Sequence, residues 1–203
     1  MEHFNRVRLC GTVASRPELS HINHGVTFYK FILSVDRLSG QADKLPIIAP
    51  YEQLSSLSPD LGDTLSLTGQ LRSFNNKSGV GSRLVLSVFA REMHSGGEAP
   101  FNQIQLSGIL CKQPTLRRTP LGREICDMIL AVNRRYGRAD YLPCIAWGAV
   151  AQAVADMHTG AHFSAEGRVQ SRTYTKLVDG TLTERTAYEV SIMRPAEDDE
   201  FFL

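Results

Sequence analysis

Three arginines surround one tyrosine in a short polar segment between two apolar runs of the chain. The guanidinium groups belong to Arg134, Arg135 and Arg138, and the ring belongs to Tyr136. Single-stranded nucleic acid is bound by such a combination, because cations neutralise phosphates while flat rings stack on unpaired bases. The alternative is an ordinary solvated hairpin loop. Further rings and cations on neighbouring elements would favour nucleic-acid binding over that alternative.

The runs on either side of this segment predict the two strands that would hold it. Residues 126–132 are apolar enough to lie in a sheet, and residues 141–147 are short and aromatic at both ends. A hairpin of these two strands would place the basic segment at its tip.

Composition limits the classes of protein to which the chain can belong. Its 203 residues suffice for one large or two ordinary domains, and 42% of them are apolar. No run approaches the roughly 20 apolar residues of a membrane span, and the first residues do not resemble a signal peptide. No nucleophile motif, metal spacing or phosphate loop stands out, so neither an enzyme nor a metal or other cofactor is predicted. The four cysteines lack ligand spacing and are predicted to be buried thiols.

The charge of the chain is unevenly distributed. The formal net charge is only +1, but residues 102–195 hold twelve Lys and Arg against eight Asp and Glu. Residues 196–203 then hold four acids and no base. A basic body is therefore masked by an acidic tail, and the charge of the body is what a phosphate partner would meet.

The chain also repeats itself at an offset of 97 residues. Residues 5–11 match 102–108, residues 33–37 match 130–134, and residues 42–46 match 139–143. After one insertion, residues 69–73 match 167–171. This agreement predicts two copies of one domain, at 1–94 and 102–195, with a linker at 95–101 and an acidic C-terminal tip at 196–203.

Each copy has a periodicity typical of three strands, one short helix and two further strands. The helices are predicted at 51–57 and 149–157, after the strands that end near residues 49 and 147. This order is that of the OB-fold, a five-stranded Greek-key barrel that binds single-stranded nucleic acids. The predicted fold class is therefore all-β, with two tandem OB-folds.

The second copy resembles the bacterial single-stranded DNA-binding protein family along nearly its whole length. The resemblance depends on the order and spacing of residues 102–108, 114–117, 130–134, 140–148 and 166–174. It implies a cytoplasmic, nucleoid-associated protein that binds single-stranded DNA without sequence preference and without catalysis. Replication, recombination or repair would be its setting.

The resemblance also assigns the binding residues of the second copy. Stacking rings are expected at Tyr136, Tyr141, Trp147 and Tyr174. Phosphate contacts are expected from Arg117, Arg118, Arg123, Arg134, Arg135, Arg138, Arg168, Arg172 and Lys176. For Trp147 the alternative is a core residue at a strand end.

The first copy departs from the family pattern, because Ser39, Lys44, Pro50 and Asn76 hold the positions of the four rings. Weaker DNA contacts are expected there from Arg37, Lys44, Arg72, Phe74 and Lys77. Two domains per chain suggest a homodimer with four OB-folds.

The acidic, aromatic end of the chain resembles the tip by which this family recruits replication and repair enzymes. Its residues are Asp198, Asp199, Glu200, Phe201, Phe202 and Leu203. A frayed acidic end is the alternative. A second function therefore stays open, that of a primosome, plasmid or phage replication adaptor whose OB domains mainly hold partner proteins.

Overall fold

The computed structural model describes residues 3–76, 84–97, 99–178 and 180–196, without the side chains of residues 135 and 178. The first half contains β1 (Phe4–Val13), β2 (Glu18–Asn23), β3 (Val26–Asp36), β4 (Ala42–Pro50), α1 (Tyr51–Leu57), β5 (Thr64–Asn75) and β6 (Leu84–Ser95). The second half contains β7 (Phe101–Leu110), β8 (Thr115–Arg118), β9 (Glu124–Asn133), β10 (Ala139–Trp147), α2 (Gly148–Ala155), β11 (His162–Val178) and β12 (Thr181–Pro195). A 3-10 turn, Arg135–Gly137, joins β9 to β10.

Each half closes into a five-stranded barrel. In the first half, β1 pairs with β3 and β5, β5 with β6, β6 with β4 in parallel, and β4 with β3. The second half repeats these pairings with β7, β9, β10, β12 and β11. The two tandem OB-folds predicted from the sequence are confirmed.

The short strands β2 and β8 were not predicted. They pair at the edge with β3 and β9, respectively. Every side chain of both strands is exposed, so burial imposes no apolar alternation by which the sequence could reveal them. The helix α1 has the predicted bounds, whereas α2 lies one to two residues earlier than predicted.

The glycines of the repeat lie where strands of one barrel cross closely. A Cβ at Gly108 would lie 2.6 Å from the carbonyl oxygen of Ala131 in β9, and one at Gly11 would meet Ser34 in β3. Glycine is therefore required where β7 and β1 turn over their partners to close the barrels.

The two barrels are joined edge to edge into one twelve-stranded sheet among the described residues. Strands β1 and β7 run antiparallel, from the pair Phe4 and Ser107 to the pair Cys10 and Phe101. Val7 is opposite Ile104, which is its equivalent in the repeat, so an internal twofold axis passes through this pair. We call the β1–β7 junction the seam. The buried apolar residues of both barrels form one continuous cluster across it.

Two further predictions were tested by the fold. Cys10, Cys126 and Cys144 are buried free thiols, but Cys111 is exposed because β7 ends one residue earlier. The expectation of burial was wrong for Cys111. Among the described residues, neither helix is long and apolar enough to cross a membrane.

Candidate nucleic-acid interface

A groove of about 1150 Å³ runs along β11 and β12 of the second domain, beside Trp147. We call it the basic groove. Six of its lining side chains are cationic and one, Glu189, is acidic. The cations are Arg117, Arg123, Arg168 and Arg172 from the second domain, and Arg37 and Lys44 from the first. The groove therefore collects five of the predicted second-domain residues, Trp147 and four arginines, together with two from the first domain.

Trp147 lies at the end of β10, where the strand passes into α2. Its side chain is 37% exposed, and its indole Nε1 donates a hydrogen bond of 3.2 Å to the hydroxyl of Ser191 in β12. The ring is thus held from one edge while part of it stays accessible. This geometry suits stacking by a base better than a role as a core residue.

Most of the groove cations are not neutralised within the protein. Arg123, Arg168, Arg172 and Lys44 form no ion pair with any residue that the structure describes. The acidic Glu189 accepts a hydrogen bond of 2.6 Å from Gln170. The groove is therefore a positively charged channel with a ring at its side.

The arginines of the β8–β9 hairpin are paired at the surface. Arg117 contacts Asp127, and the hydrogen bond between them raises the pKa of Arg117. Arg118 lies 3.0 Å from Glu124, and its hydrogen bond lowers the pKa of that carboxyl. Because these pairs are exposed, they contribute little to stability, and a phosphate could replace either carboxylate.

Tyr174 lies further along β11 and is 36% exposed. The guanidinium carbon of Arg172 lies 5.7 Å from the centre of its ring, a cation–π contact. Since Arg172 lines the basic groove, Tyr174 extends that surface. Lys176 follows two residues later and is exposed.

Tyr136 does not line the groove that contains Trp147. It lies in a second groove of about 1250 Å³ at the seam, which we call the seam groove. Its ring is 97% exposed, and its backbone is left-handed with φ 65°, followed by Gly137 with φ 68°. A strained backbone that holds an aromatic ring in water is typical of a binding position. Arg138, also exposed, follows this turn.

Three of the predicted phosphate contacts lie instead against buried carboxylates. Arg134 donates to Asp140, with Nε to Oδ2 at 2.6 Å, and Arg72 of the first domain lies 3.2 Å from the same carboxylate. Arg37 pairs with Asp43 in the same way. Both aspartates are only 1% exposed. The carboxylates therefore largely compensate the charges of these three arginines, and the pair of Arg72 with Asp140 also links the two domains.

These contacts change the pKa values of Arg37 and Arg72 in opposite directions. The hydrogen bond that Arg37 donates to Asp43 raises the pKa of Arg37. Burial lowers the pKa of Arg72, helped by the neighbouring charge of Arg134. Arg37 is therefore bound tightly to Asp43, whereas Arg72 lies beside the second cation Arg134.

Tyr141 lies in β10 of the second barrel and contacts β5 of the first. Its backbone N–H donates a hydrogen bond of 2.8 Å to the hydroxyl of Ser73 in the first domain, and its side chain is 51% exposed. Phe74, which follows Ser73 in β5, is 41% exposed. The guanidinium of Arg134 lies 5.7 Å from the centre of its ring. The predicted rings thus divide into Trp147 and Tyr174 on one side, and Tyr136 and Tyr141 near the first domain.

The first domain lacks the cations of the basic groove at its own equivalent positions. Ser20, Val26 and Gln70 occupy the repeat positions of Arg117, Arg123 and Arg168. Of the residues predicted in this domain, Lys77 lies outside the described residues. The predicted tip residues Asp198, Asp199, Glu200, Phe201, Phe202 and Leu203 also lie outside them, as does the side chain of Arg135.

Sequence reasoning missed the aspartates and several cations. Asp43 and Asp140 occupy the same position of the repeat. An acid shared by two otherwise basic segments was the feature by which the sequence could have identified them. The seam groove is lined by further cations that no motif indicated, namely Arg6, Arg8 and Arg91. Arg6 and Arg8 lie in β1 and Arg91 lies in β6, and closure of the first barrel places these strands on either side of β5.

Comparisons with known proteins agree with this geometry. A model of the single-strand binding protein family matches residues 101–194. The chain is 34% identical over 108 residues to single-stranded DNA-binding protein 2 of Listeria monocytogenes, which covers 48% of this chain and 67% of the relative. It is 36% identical over 104 residues to single-stranded DNA-binding protein B of Bacillus subtilis, which covers 47% and 92%, respectively.

Similarity to solved structures extends over both halves of the chain. The wild-type single-stranded DNA binding protein from Thermus aquaticus aligns with a TM-score of 0.77, over 97% of this chain and 93% of that chain. The sequence identity is 22%, so this likeness is one of fold. It extends the tandem arrangement to the first domain, which the family match does not reach.

Proposed function

This chain belongs to the single-strand binding protein family, and from that membership we propose that it binds single-stranded DNA without sequence preference. Members of this family are not enzymes. Binding would proceed by base stacking and phosphate contacts in the cytoplasm, at the nucleoid. The DNA so covered would be protected and organised during replication, recombination or repair.

The basic groove beside Trp147 is the observation that supports this proposal. Arg123, Arg168 and Arg172 line it without ion pairs to the described residues, and part of the Trp147 side chain remains accessible. Phosphates would neutralise the arginines while a base stacks on the ring. Each stacked base contributes roughly 1–3 kcal/mol by alanine substitution, and each phosphate contact adds a salt-dependent part.

Titration with oligo(dT) at two salt concentrations tests the proposal, with the fluorescence of Trp147 as the signal. Trp147 is the only tryptophan, so quenching reports on this groove alone. We expect strong quenching and an affinity that falls as salt rises. Folded protein that shows neither quenching nor binding at low salt would overturn the proposal.

A matched pair of variants makes the test specific to the groove. Arg123→Gln should weaken binding and reduce the salt dependence, because one phosphate contact is lost. Arg16→Gln removes the same charge from an exposed arginine that pairs with Asp60 outside the groove. Equal effects of the two variants would mean that only overall charge matters.

We further propose that the protein acts as a homodimer with four OB-folds. Each chain supplies two barrels, and two chains would give the four-barrel assembly that the family resemblance implies. Light scattering after gel filtration should give twice the mass of one chain. A single-chain mass at micromolar concentration would exclude this assembly.

The acidic tip is proposed to recruit replication or repair proteins. Acidic side chains would meet a basic rim on the partner, and the terminal aromatic residues would fill a pocket. Deleting residues 197–203 should abolish partner capture while leaving oligo(dT) binding intact. Partner capture that survives the deletion would place recruitment elsewhere on the protein.

One observation favours the adaptor as a second candidate function. The β2–β3 hairpin of the first domain exposes three apolar side chains, and one of them, Val26, stands where the second domain carries the cation Arg123. Leu19 is 61% exposed, Ile22 is 67% exposed and Val26 is 44% exposed. Weak oligo(dT) binding together with efficient partner capture would favour the adaptor over the DNA-binding protein.

A further inference from the structure

The hairpin that joins β3 to β4 reaches from the first domain to the wall of the basic groove. Arg37, Gln41 and Lys44 of this hairpin line the groove together with Ser171 and Arg172 of β11. The turn is closed by two backbone hydrogen bonds, from Arg37 to Gln41 at 2.7 Å and from Gly40 to Arg37 at 3.0 Å. The groove of the second domain is thus partly built from the first.

A buried carboxylate fixes the hairpin in that position. Oδ1 of Asp43 accepts a hydrogen bond of 2.8 Å from the backbone N–H of Ser171 in β11. The backbone N–H of Lys44 donates to the hydroxyl of the same serine at 3.0 Å. Since Asp43 is 1% exposed and also accepts from Arg37, the contact is shielded from water. We call it the latch.

An equivalent latch joins the second domain to the first. Oδ1 of Asp140 accepts a hydrogen bond of 2.7 Å from the backbone N–H of Ser73, and the N–H of Tyr141 donates to the hydroxyl of that serine. Arg134 takes the place of Arg37. The two contacts are related by the internal twofold axis. The β3–β4 and β9–β10 hairpins are therefore placed in equivalent ways by the repeat.

Lys44 carries the uncompensated positive charge of this hairpin. Its side chain is exposed and forms no ion pair with the described residues, whereas Arg37 is compensated by Asp43. The first domain lacks the groove cations at its own positions, since Ser20, Val26 and Gln70 replace arginines there. The positive charge of Lys44 therefore lies in the groove of the neighbouring domain.

We propose that residues 37–44 of the first domain form part of the single-stranded DNA site of the second domain, with Lys44 contacting a phosphate of the strand stacked on Trp147. This inference rests on the proposed function. The first domain then contributes to DNA binding through a hairpin placed by the latch, although its own face lacks the required cations.

Two glutamine variants of the full chain test the role of Lys44. Lys44→Gln is compared with Lys112→Gln, an exposed lysine outside the groove, so both lose one charge. Oligo(dT) of about 12 nucleotides, close to the span of one OB-fold, is titrated against Trp147 fluorescence. Lys44→Gln should weaken binding about three- to tenfold at low salt and reduce the salt slope by about 0.7, whereas Lys112→Gln should change neither.

The outcomes separate this inference from the proposed function. Wild-type protein that neither quenches nor binds would overturn both. Normal wild-type quenching with Lys44→Gln equal to Lys112→Gln would overturn the inference and leave the proposed function intact.

A third variant tests the latch by whether it raises or lowers the affinity for DNA. Asp43→Ala removes a negative charge near the groove, so electrostatics alone would strengthen DNA binding. Release of the hairpin predicts weaker binding instead. With folding verified by circular dichroism, tighter binding would overturn the latch as a positioning device. Should this variant not fold, the comparison of Lys44→Gln with Lys112→Gln still decides the inference.

Discussion

Asp140 lies at the meeting point of two arginines and a backbone N–H from the other domain. Its carboxylate is 1% exposed and contacts Arg134 of its own barrel and Arg72 of the first. Asp140→Ala would leave both guanidinium groups, each about one-fifth exposed, without their partner. We expect the free energy of unfolding to fall by about 3–5 kcal/mol, because unpaired buried charge is costly.

Urea unfolding followed by circular dichroism measures this change. Asp156→Ala serves as the control, since it removes an exposed carboxylate that forms no ion pair with the described residues. The control should shift stability by no more than about 0.5 kcal/mol. Equal stability of Asp140→Ala and the wild type would show that the buried pair contributes nothing net.

Individual residues were only partly predictable from the sequence. The residue types at Tyr136 and Trp147 identify them as stacking candidates, but periodicity cannot show that they line different grooves. Likewise, Arg134 has the sequence context of an exposed cation. Its partner Asp140 lies in the next strand, and a one-dimensional pattern does not reveal that this aspartate is buried.

Strand β7 depends on a glycine where it crosses β9. Gly108→Ala would place a methyl carbon 2.6 Å from the carbonyl oxygen of Ala131, so the strands must separate. Overpacking of this kind costs typically 1–3 kcal/mol, and we expect a loss of about that size in urea unfolding. Gly11→Ala should cost a similar amount in the first barrel, because it meets Ser34 in the same way. A neutral effect of either variant would contradict the required close approach.

The start of β1 should be sensitive to acid through His3. Burial, with His162 nearby, lowers the pKa of His3, and its Nδ1 accepts a hydrogen bond from the backbone N–H of Asn133. The folded protein therefore binds this proton less readily than the unfolded chain does. Its contribution to stability is complete above about pH 6.5, the ordinary histidine value, and is lost as the pH falls below it.

Thermal melts at pH 7.5 and pH 5.5 measure this effect. The other histidines and carboxylates also titrate, so the comparison is between the wild type and His3→Gln. The variant should lose less melting temperature on acidification than the wild type does. An equal loss in both proteins would exclude His3 as a contributor.

The sequence predicted the two barrels but not the edge-to-edge pairing that joins them. Alternation of apolar residues in β1 and β7 identifies their inward faces, and the repeat identifies the barrels as equivalent. Pairing between their edges depends on backbone groups, which every residue type supplies, so no side-chain pattern indicates it. The grooves and the two latches follow from this pairing and were inaccessible for the same reason.

The shared sheet and continuous core predict that both domains unfold together. Leu33 in β3 is fully buried in the first barrel, away from the seam, and Leu33→Ala should cost about 2–5 kcal/mol. Trp147 fluorescence reports only on the second barrel, whereas circular dichroism reports on both. In coupled domains the midpoints from both signals should coincide and shift equally. Leu19→Ala, at a 61% exposed position of β2, should shift neither. A fluorescence midpoint unmoved by Leu33→Ala would show instead that the barrels unfold independently, despite the seam between them.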